Sequence, residues 1–169
     1  CHGVMTALTE NSLPCSKLFF PAAGLSLAAV VLANFSGIDM LVLGPEARES
    51  ETAREVAATA RARGATILEV STPVLAAMTR RDNPQMVAGV FESHYRPLTE
   101  IAPQKNETYI ALDRVRDPGN LGTIIRTADA AGASGIILVG ETTDPFSLET
   151  VRATMGSVFA LPVSRAEPR

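Results

Sequence analysis

The chain has 169 residues, 46% of them hydrophobic and 20% charged, with a net charge of -3. That length suits one large or two small domains, and the composition is that of an ordinary globular protein. Divided near residue 97, the first part carries eight Lys/Arg and nine Asp/Glu, and the second carries seven and nine. Neither part is a polycation, so any nucleic-acid site must be a local patch. Aromatic residues make up 5% and Trp is absent, so Ala-rich helices and Val/Ile/Leu strands must build the core.

Cys1 and Cys15 are the only cysteines. They have no CxxC spacing and only His2 nearby, so they predict no metal site and read as two thiols in a reducing, cytoplasmic setting. An opening Cys in place of Met reads as a fragment. Leu18 to Ile38 contains no charged residue and approaches the length of a membrane span. Pro21, Gly24, Ser26, Asn34, Ser36 and Gly37 interrupt it, so a buried Ala-rich helix over Gly24–Asn34 is expected instead, with no membrane partner; a signal-peptide apolar region is the alternative.

Cys15–Phe20, between Pro14 and Pro21, reads as a short strand. Asp39–Gly44 reads as a second, ended by Gly44-Pro45. Glu46–Arg63 is a helix with acids at its start, Arg61 and Arg63 at its end, and Gly64 to stop it. Thr66–Val70 is a strand. Ser71-Thr72-Pro73 offers a cap and a first-position proline for a helix reaching about Arg80. After the Arg81–Pro84 turn, Gln85–Glu92 reads as a strand. Residues 93–107 hold Pro97 and Pro103 without any period and read as connecting chain. A second unit then opens, with strand 108–113, helix 119–131, strand Gly135–Val139 ended by Gly140, helix 147–155, and a strand over Val158–Val163. The alternation predicts a layered α/β fold with parallel pairing and right-handed crossovers.

The unusual stretch is Asp117-Pro118-Gly119-Asn120-Leu121-Gly122-Thr123-Ile124-Ile125-Arg126-Thr127-Ala128-Asp129-Ala130-Ala131-Gly132. Leu121, Ile124, Ile125 and Ala128 recur at helical spacing and form one apolar face. Asn120, Thr123 and Thr127 share a second face; Arg126 and Asp129 lie on a third. Gly119 and Gly122 would let a ligand's phosphate approach the helix start. The spacing is neither GxGxxG nor that of a P-loop. A Gly-rich turn with Arg126 and Asp129 paired on the surface fits the same residues. Thr79-Arg80-Arg81 could contact RNA phosphates or simply complement a helix end. Arg152 could hold a phosphate or pair with Glu149. No Ser/His/Asp set or paired-carboxylate set is visible.

Asp113, Val115, Asp117–Gly122, Ile125–Ala128 and Ala131-Gly132 resemble motif 1 of the SpoU (TrmH-like) RNA 2′-O-ribose methyltransferases of the SPOUT superfamily. Val151–Phe159 is similar to the Arg-Ala-Ser-Met-Gly segment of that family, with Thr154 in place of Ser. Residues 37–92 resemble more loosely the ribosomal-protein-L30e-like RNA-binding domain often fused in front. The resemblance implies an α/β architecture: an N-terminal RNA substrate-binding domain over 1–96, a linker over 97–107, and over 108–169 the first part of a Rossmann-like SPOUT domain with a knot. Motifs 2 and 3, which complete the knot and the cofactor pocket, are expected beyond Arg169. It further implies S-adenosylmethionine as cofactor, tRNA or rRNA as partner, and a homodimer through the methyltransferase domain. Arg126 and Asn120 take the catalytic positions, Gly140 lies toward the cofactor, and Arg80, Arg81 and Arg152 toward RNA. A non-catalytic RNA-binding member of the family stands as the alternative.

Overall fold

A computed structural model describes residues 17–21 and 37–167. The expected helix Gly24–Asn34 lies outside the described residues. Contacts divide the chain into two compact units, Cys1–Ser93 and His94–Arg169.

In the first unit, strands β1 (Lys17–Pro21), β2 (Ile38–Leu43), β3 (Thr66–Glu69) and β4 (Val87–Glu92) form one sheet in the order β1-β4-β2-β3. β4 runs antiparallel to both neighbours, and β2 and β3 are parallel. Five of the six β4 residues are buried, as befits a strand paired on both edges and covered on both faces. It begins two residues later than the sequence suggests, at Val87.

The helix expected over Glu46–Arg63 is two pieces. Pro45–Arg48 forms a 3-10 turn, and the α-helix α1 runs Glu51–Ala62. The break has a local cause: Ser50 is extended, and its hydroxyl accepts the Ala53 N–H at 3.3 Å, so the helix is capped there. At the far end Ala65 N–H reaches the Ala60 carbonyl and Gly64 N–H that of Arg61. These paired bonds need the left-handed residue that Gly64 supplies at φ +84°. Helix α2 (Thr72–Thr79) starts after Ser71, whose side chain makes no capping bond, and Pro73 is its second residue.

In the second unit, β5 (Tyr109–Asp113), β6 (Gly135–Val139) and β7 (Val163–Ala166) form a parallel sheet in that order. Helices α3 (Pro118–Ala130) and α4 (Leu148–Thr154) make the two crossovers. Leu121, Ile125 and Ala128 of α3 pack on Ile136 and Leu138 of β6, with Leu161 and Val163 completing the core. Gly132 N–H and Ala133 N–H end α3 with the same pair of bonds that closes α1.

Two expectations fail here. The strand placed over Val158–Val163 is a 3-10 turn, Ser157–Phe159, followed by a strand that only begins at Val163. Val158 and Leu161 are buried, so the run is apolar for packing rather than for pairing; periodicity alone does not separate the two. Residues 94–100 are not free linker either. Tyr95 packs on the core of this unit, Arg96 N–H bonds the Val163 carbonyl at 2.8 Å, and Leu98–Glu100 forms a 3-10 turn.

Candidate functional site

Open parallel sheets bind ligands beyond the carboxyl ends of their strands. In the second unit that edge is built by two loops, one running from β5 into α3 and the other following β6. Backbone bonds fix them side by side: Arg114 N–H reaches the Val139 carbonyl at 3.0 Å, and Thr143 N–H reaches that of Val115 at 2.9 Å. Arg116 adds an exposed ion pair to Glu141 at 3.5 Å.

The start of α3 is set by Asp117. Its carboxylate Oδ1 accepts the Asn120 N–H at 2.6 Å, and Pro118 occupies the opening position where no N–H is required. Asn120 is therefore held in the first turn, exposed, beside the strand ends. Arg126 lies six residues on, about 9 Å further along the axis, and is also exposed. Among the described residues Arg126 makes no hydrogen bond or ion pair, so the surface pair with Asp129 does not form. Its guanidinium is available to an incoming anion.

The second polar face reads differently in three dimensions. Thr123 Oγ1 donates to the Gly119 carbonyl and Thr127 Oγ1 to the Thr123 carbonyl, both at 2.9 Å. Each hydroxyl is spent on its own helix. Gly122 is no ligand approach point either. It is buried against α4, where a Cβ would overlap Ala153 Cβ and sit 2.6 Å from the Thr150 carbonyl oxygen. It is the point where two helices touch.

Gly140 takes φ 68°, and its N–H is engaged by the Ala166 carbonyl at 3.1 Å. Arg152 is half-buried on α4, beside buried Val151 and Thr154. Asn120, Arg126, Gly140 and Arg152 thus share the second unit. Arg80 and Arg81 belong to the first, both exposed, with Arg80 left-handed at φ 50° where α2 ends.

Three features escaped the sequence. Arg114 sits at φ 51°, a conformation costing a side-chain residue about 1 kcal/mol or more. Its guanidinium grips the preceding Asp113, Nε to Oδ1 at 2.9 Å and Nη2 to Oδ2 at 2.7 Å. That hydrogen bond holds the Asp113 carboxyl below its ordinary value and raises Arg114. Thr142, in the loop after β6, has a buried Oγ1 with no hydrogen-bond partner among the described residues. An Asp-Arg dipeptide is the signal for the grip; no local pattern announces the other two. No group of His, Cys, Asp and Glu among the described residues could hold a metal, and no described helix is long and apolar enough to cross a membrane.

A family model described as "RNA 2'-O ribose methyltransferase substrate binding" matches residues 24–97, and one described as "SpoU rRNA Methylase family" matches 107–168. The 23S rRNA (guanosine(2553)-2'-O)-methyltransferase RlmP of Bacillus subtilis (strain 168) is 40% identical over 96 residues, which are 57% of this chain and 37% of that protein. An rRNA methyltransferase structure from Sinorhizobium meliloti is 55% identical with a TM-score of 0.85, covering 97% of this chain and 62% of that one. An AdoMet-bound structure from the same organism is 56% identical with a TM-score of 0.83, covering 96% and 60%. The chain therefore spans less than two thirds of the length of each of these relatives. With the motif helix at the sheet edge and both family models matched in chain order, residues 107–168 match the SpoU rRNA methylase family and residues 24–97 the substrate-binding family of RNA 2'-O ribose methyltransferases.

Proposed function

We propose that this chain serves an S-adenosylmethionine-dependent RNA 2′-O-ribose methyltransferase, its first unit holding RNA and its second presenting the catalytic helix. The observation that carries this reading is the placement of α3. Its capped first turn lies at the carboxyl edge of a parallel sheet, and its one arginine is exposed and unengaged among the described residues. The names of the relatives, 2′-O-methyltransferases acting on 23S rRNA, support the substrate class.

The loop after β6 suits one side of the cofactor. It offers a buried, unbonded hydroxyl at Thr142 and a backbone turn at Gly140, both at the sheet edge. Bound there, S-adenosylmethionine supplies an electrophilic methyl carbon to the ribose oxygen. The chain's own residues do the rest. Arg126 cannot act as a base, because guanidinium stays protonated at any working pH. It forms instead a two-point clamp on an RNA phosphate, which fixes the adjoining ribose so that its 2′-hydroxyl faces the methyl group. That phosphate relays the hydroxyl proton to solvent, where it ends, since a phosphodiester held by guanidinium is too weak a base to keep it. Asn120, fixed by the Asp117 cap, lines the same edge. Arg152 belongs to this RNA-facing side, and Arg80 and Arg81 to that of the first unit. The family resemblance further supports a homodimer formed through the second unit and a cytoplasmic setting.

The test is Arg126→Ala in the full-length protein. Transfer of labelled methyl to RNA should fall by at least a hundredfold, while calorimetry should give an unchanged affinity for S-adenosylmethionine, on the scale of lost transition-state contacts. Near-normal turnover rules the clamp out. Absence of methyl transfer by the parent protein on any RNA favours the non-catalytic binding module.

A further inference from the structure

The first unit carries a groove on the helix side of its sheet. It runs along the flank of α1, between that helix and the edge strand β3, and has a volume of about 350 Å³. Its apolar lining is made by Ala53, Ala57, Leu43 and Ile67. Register explains the wall: Leu41 faces Ile67 and Leu43 faces Glu69, so all four point to the helix side of the sheet.

Three arginines line it: Arg48, Arg54 and Arg61. Arg54 and Arg61 are seven residues apart, two turns and about 10 Å along one stripe of α1. Glu51 and Glu55 are four apart on a neighbouring stripe, so the helix surface is divided by charge. Among the described residues Arg54 and Arg61 carry no ion pair; Arg48 is held by Glu69 at 2.6 Å, and that pair is exposed. Exposed pairs of this kind contribute little and open readily. The same pair borders a second hollow of about 300 Å³, lined also by Gly44, Pro45 and Ser71, so the cleft continues past the strand ends.

We infer that this arginine-lined groove of the first unit is a track for the backbone of single-stranded RNA. Arg54 and Arg61 contact two phosphates, and the alanine floor accepts the ribose or base faces between them. A chain with a net charge of -3 has segregated cations along one groove, and a polyanion is the ligand that such segregation fits. The lining holds no aromatic ring and no side-chain amide, so neither base stacking on rings nor base-edge reading is available. The groove therefore adds affinity and register, and leaves the choice of nucleotide to the second unit. The inference rests on the RNA substrate proposed above.

The test is Arg54→Ala with Arg61→Ala in the present chain, titrated by fluorescence anisotropy against a labelled single-stranded RNA of about twelve nucleotides. Affinity at low salt should fall about tenfold, and the slope of log K against log salt should flatten by about 1.4, two phosphates' worth. The double Lys variant should recover the slope, since charge alone sets it. The loss should be the same for two unrelated sequences. An unchanged slope or a loss confined to one sequence overturns the inference. Its failure is distinct from failure of the proposed activity. If the groove is wrong, the full-length double variant methylates RNA with an unchanged KM; if the activity is wrong, the parent transfers no methyl and the double variant still loses RNA.

Discussion

Helices α1 and α3 are built by the same rules and differ in the surfaces they present. Each opens on a side-chain cap, Ser50 or Asp117, and each closes with the same pair of bonds around a glycine. Each buries four residues on one stripe. Their outer faces diverge. α1 carries Arg54 and Arg61 beside Glu51 and Glu55, a charged surface that acts through its field. α3 turns two threonine hydroxyls back onto its own carbonyls, which leaves Asn120 in the first turn, and Arg126 and half-buried Asp129 further along, as its remaining polar side chains. A helix that attracts RNA needs many cations in loose positions. A helix that orients one ribose needs one cation on a rigid support.

The rigidity of α3 is the part of this contrast most easily broken. Gly122 allows α3 to touch Ala153 and the Thr150 carbonyl directly, and no side chain fits there. Gly122→Leu should destabilise the second unit by about 3 kcal/mol in urea denaturation, at the upper end of overpacking costs. Amide exchange in α1 should stay unchanged. A loss below about 1 kcal/mol would mean that the helix pair yields easily, and that α3 is no firmer a platform than α1.

The caps come next in size. Removing the Asp117 carboxylate should cost about 1 kcal/mol, and Ser50→Ala about the same or less, since the Ser50 bond is longer at 3.3 Å against 2.6 Å. The two variants separate the uses of the helices. Asp117→Ala should lower methyl transfer by the full-length protein beyond its effect on stability, because Asn120 hangs from that cap. Ser50→Ala should leave turnover alone. Equal losses of turnover from both would dissolve the distinction.

Much of α3 could be read before any coordinate. Leu121, Ile125 and Ala128 recur at helical spacing and are buried, and Asp117 and Gly132 bound the helix. Gly122 was legible as unusual but not for its reason. Its partner, Ala153, lies on another helix, and the sequence pattern pointed to a phosphate approach instead. Ser50 splits the expected helix over Glu46–Arg63 through one hydroxyl, a choice that acid and base counts along the segment cannot show. Val158 and Leu161 are apolar enough for a strand and are used in a turn. The arginine groove was invisible because its far wall, Ile67 and Glu69, is brought to α1 by strand pairing.

Smaller effects test whether the threonines of α3 belong to the support or to the site. With their hydroxyls bonded to the helix backbone, Thr123→Val and Thr127→Val should each change stability by no more than about 0.5 kcal/mol and leave RNA affinity and methyl transfer unaltered. A tenfold loss of turnover from either would show the hydroxyl released in the working complex. The helix would then present a wider polar face than Arg126 and Asn120.

The Asp113–Arg114 clip is the smallest effect and has a definite sign. The Arg114 hydrogen bond lowers the Asp113 carboxyl in the folded chain relative to the unfolded one. Its contribution is therefore complete above the unfolded carboxyl value, about 3.9, and fades as pH falls through that value toward the lowered one. Arg114 is shifted upward, so its contribution is complete below its unfolded value and is lost only at extreme alkaline pH. Both side chains are exposed, and salt screens the pair. The urea midpoint of Asp113→Asn should thus differ from the parent by an amount that is constant from about pH 5 to 9, shrinks below about pH 4, and is reduced by 0.5 M salt at every pH. A difference that changes between pH 6 and 8 would require another titrating group to join the clip. Arg114 would then be coupled to the edge that α3 and the loop after β6 share, rather than to its neighbour alone.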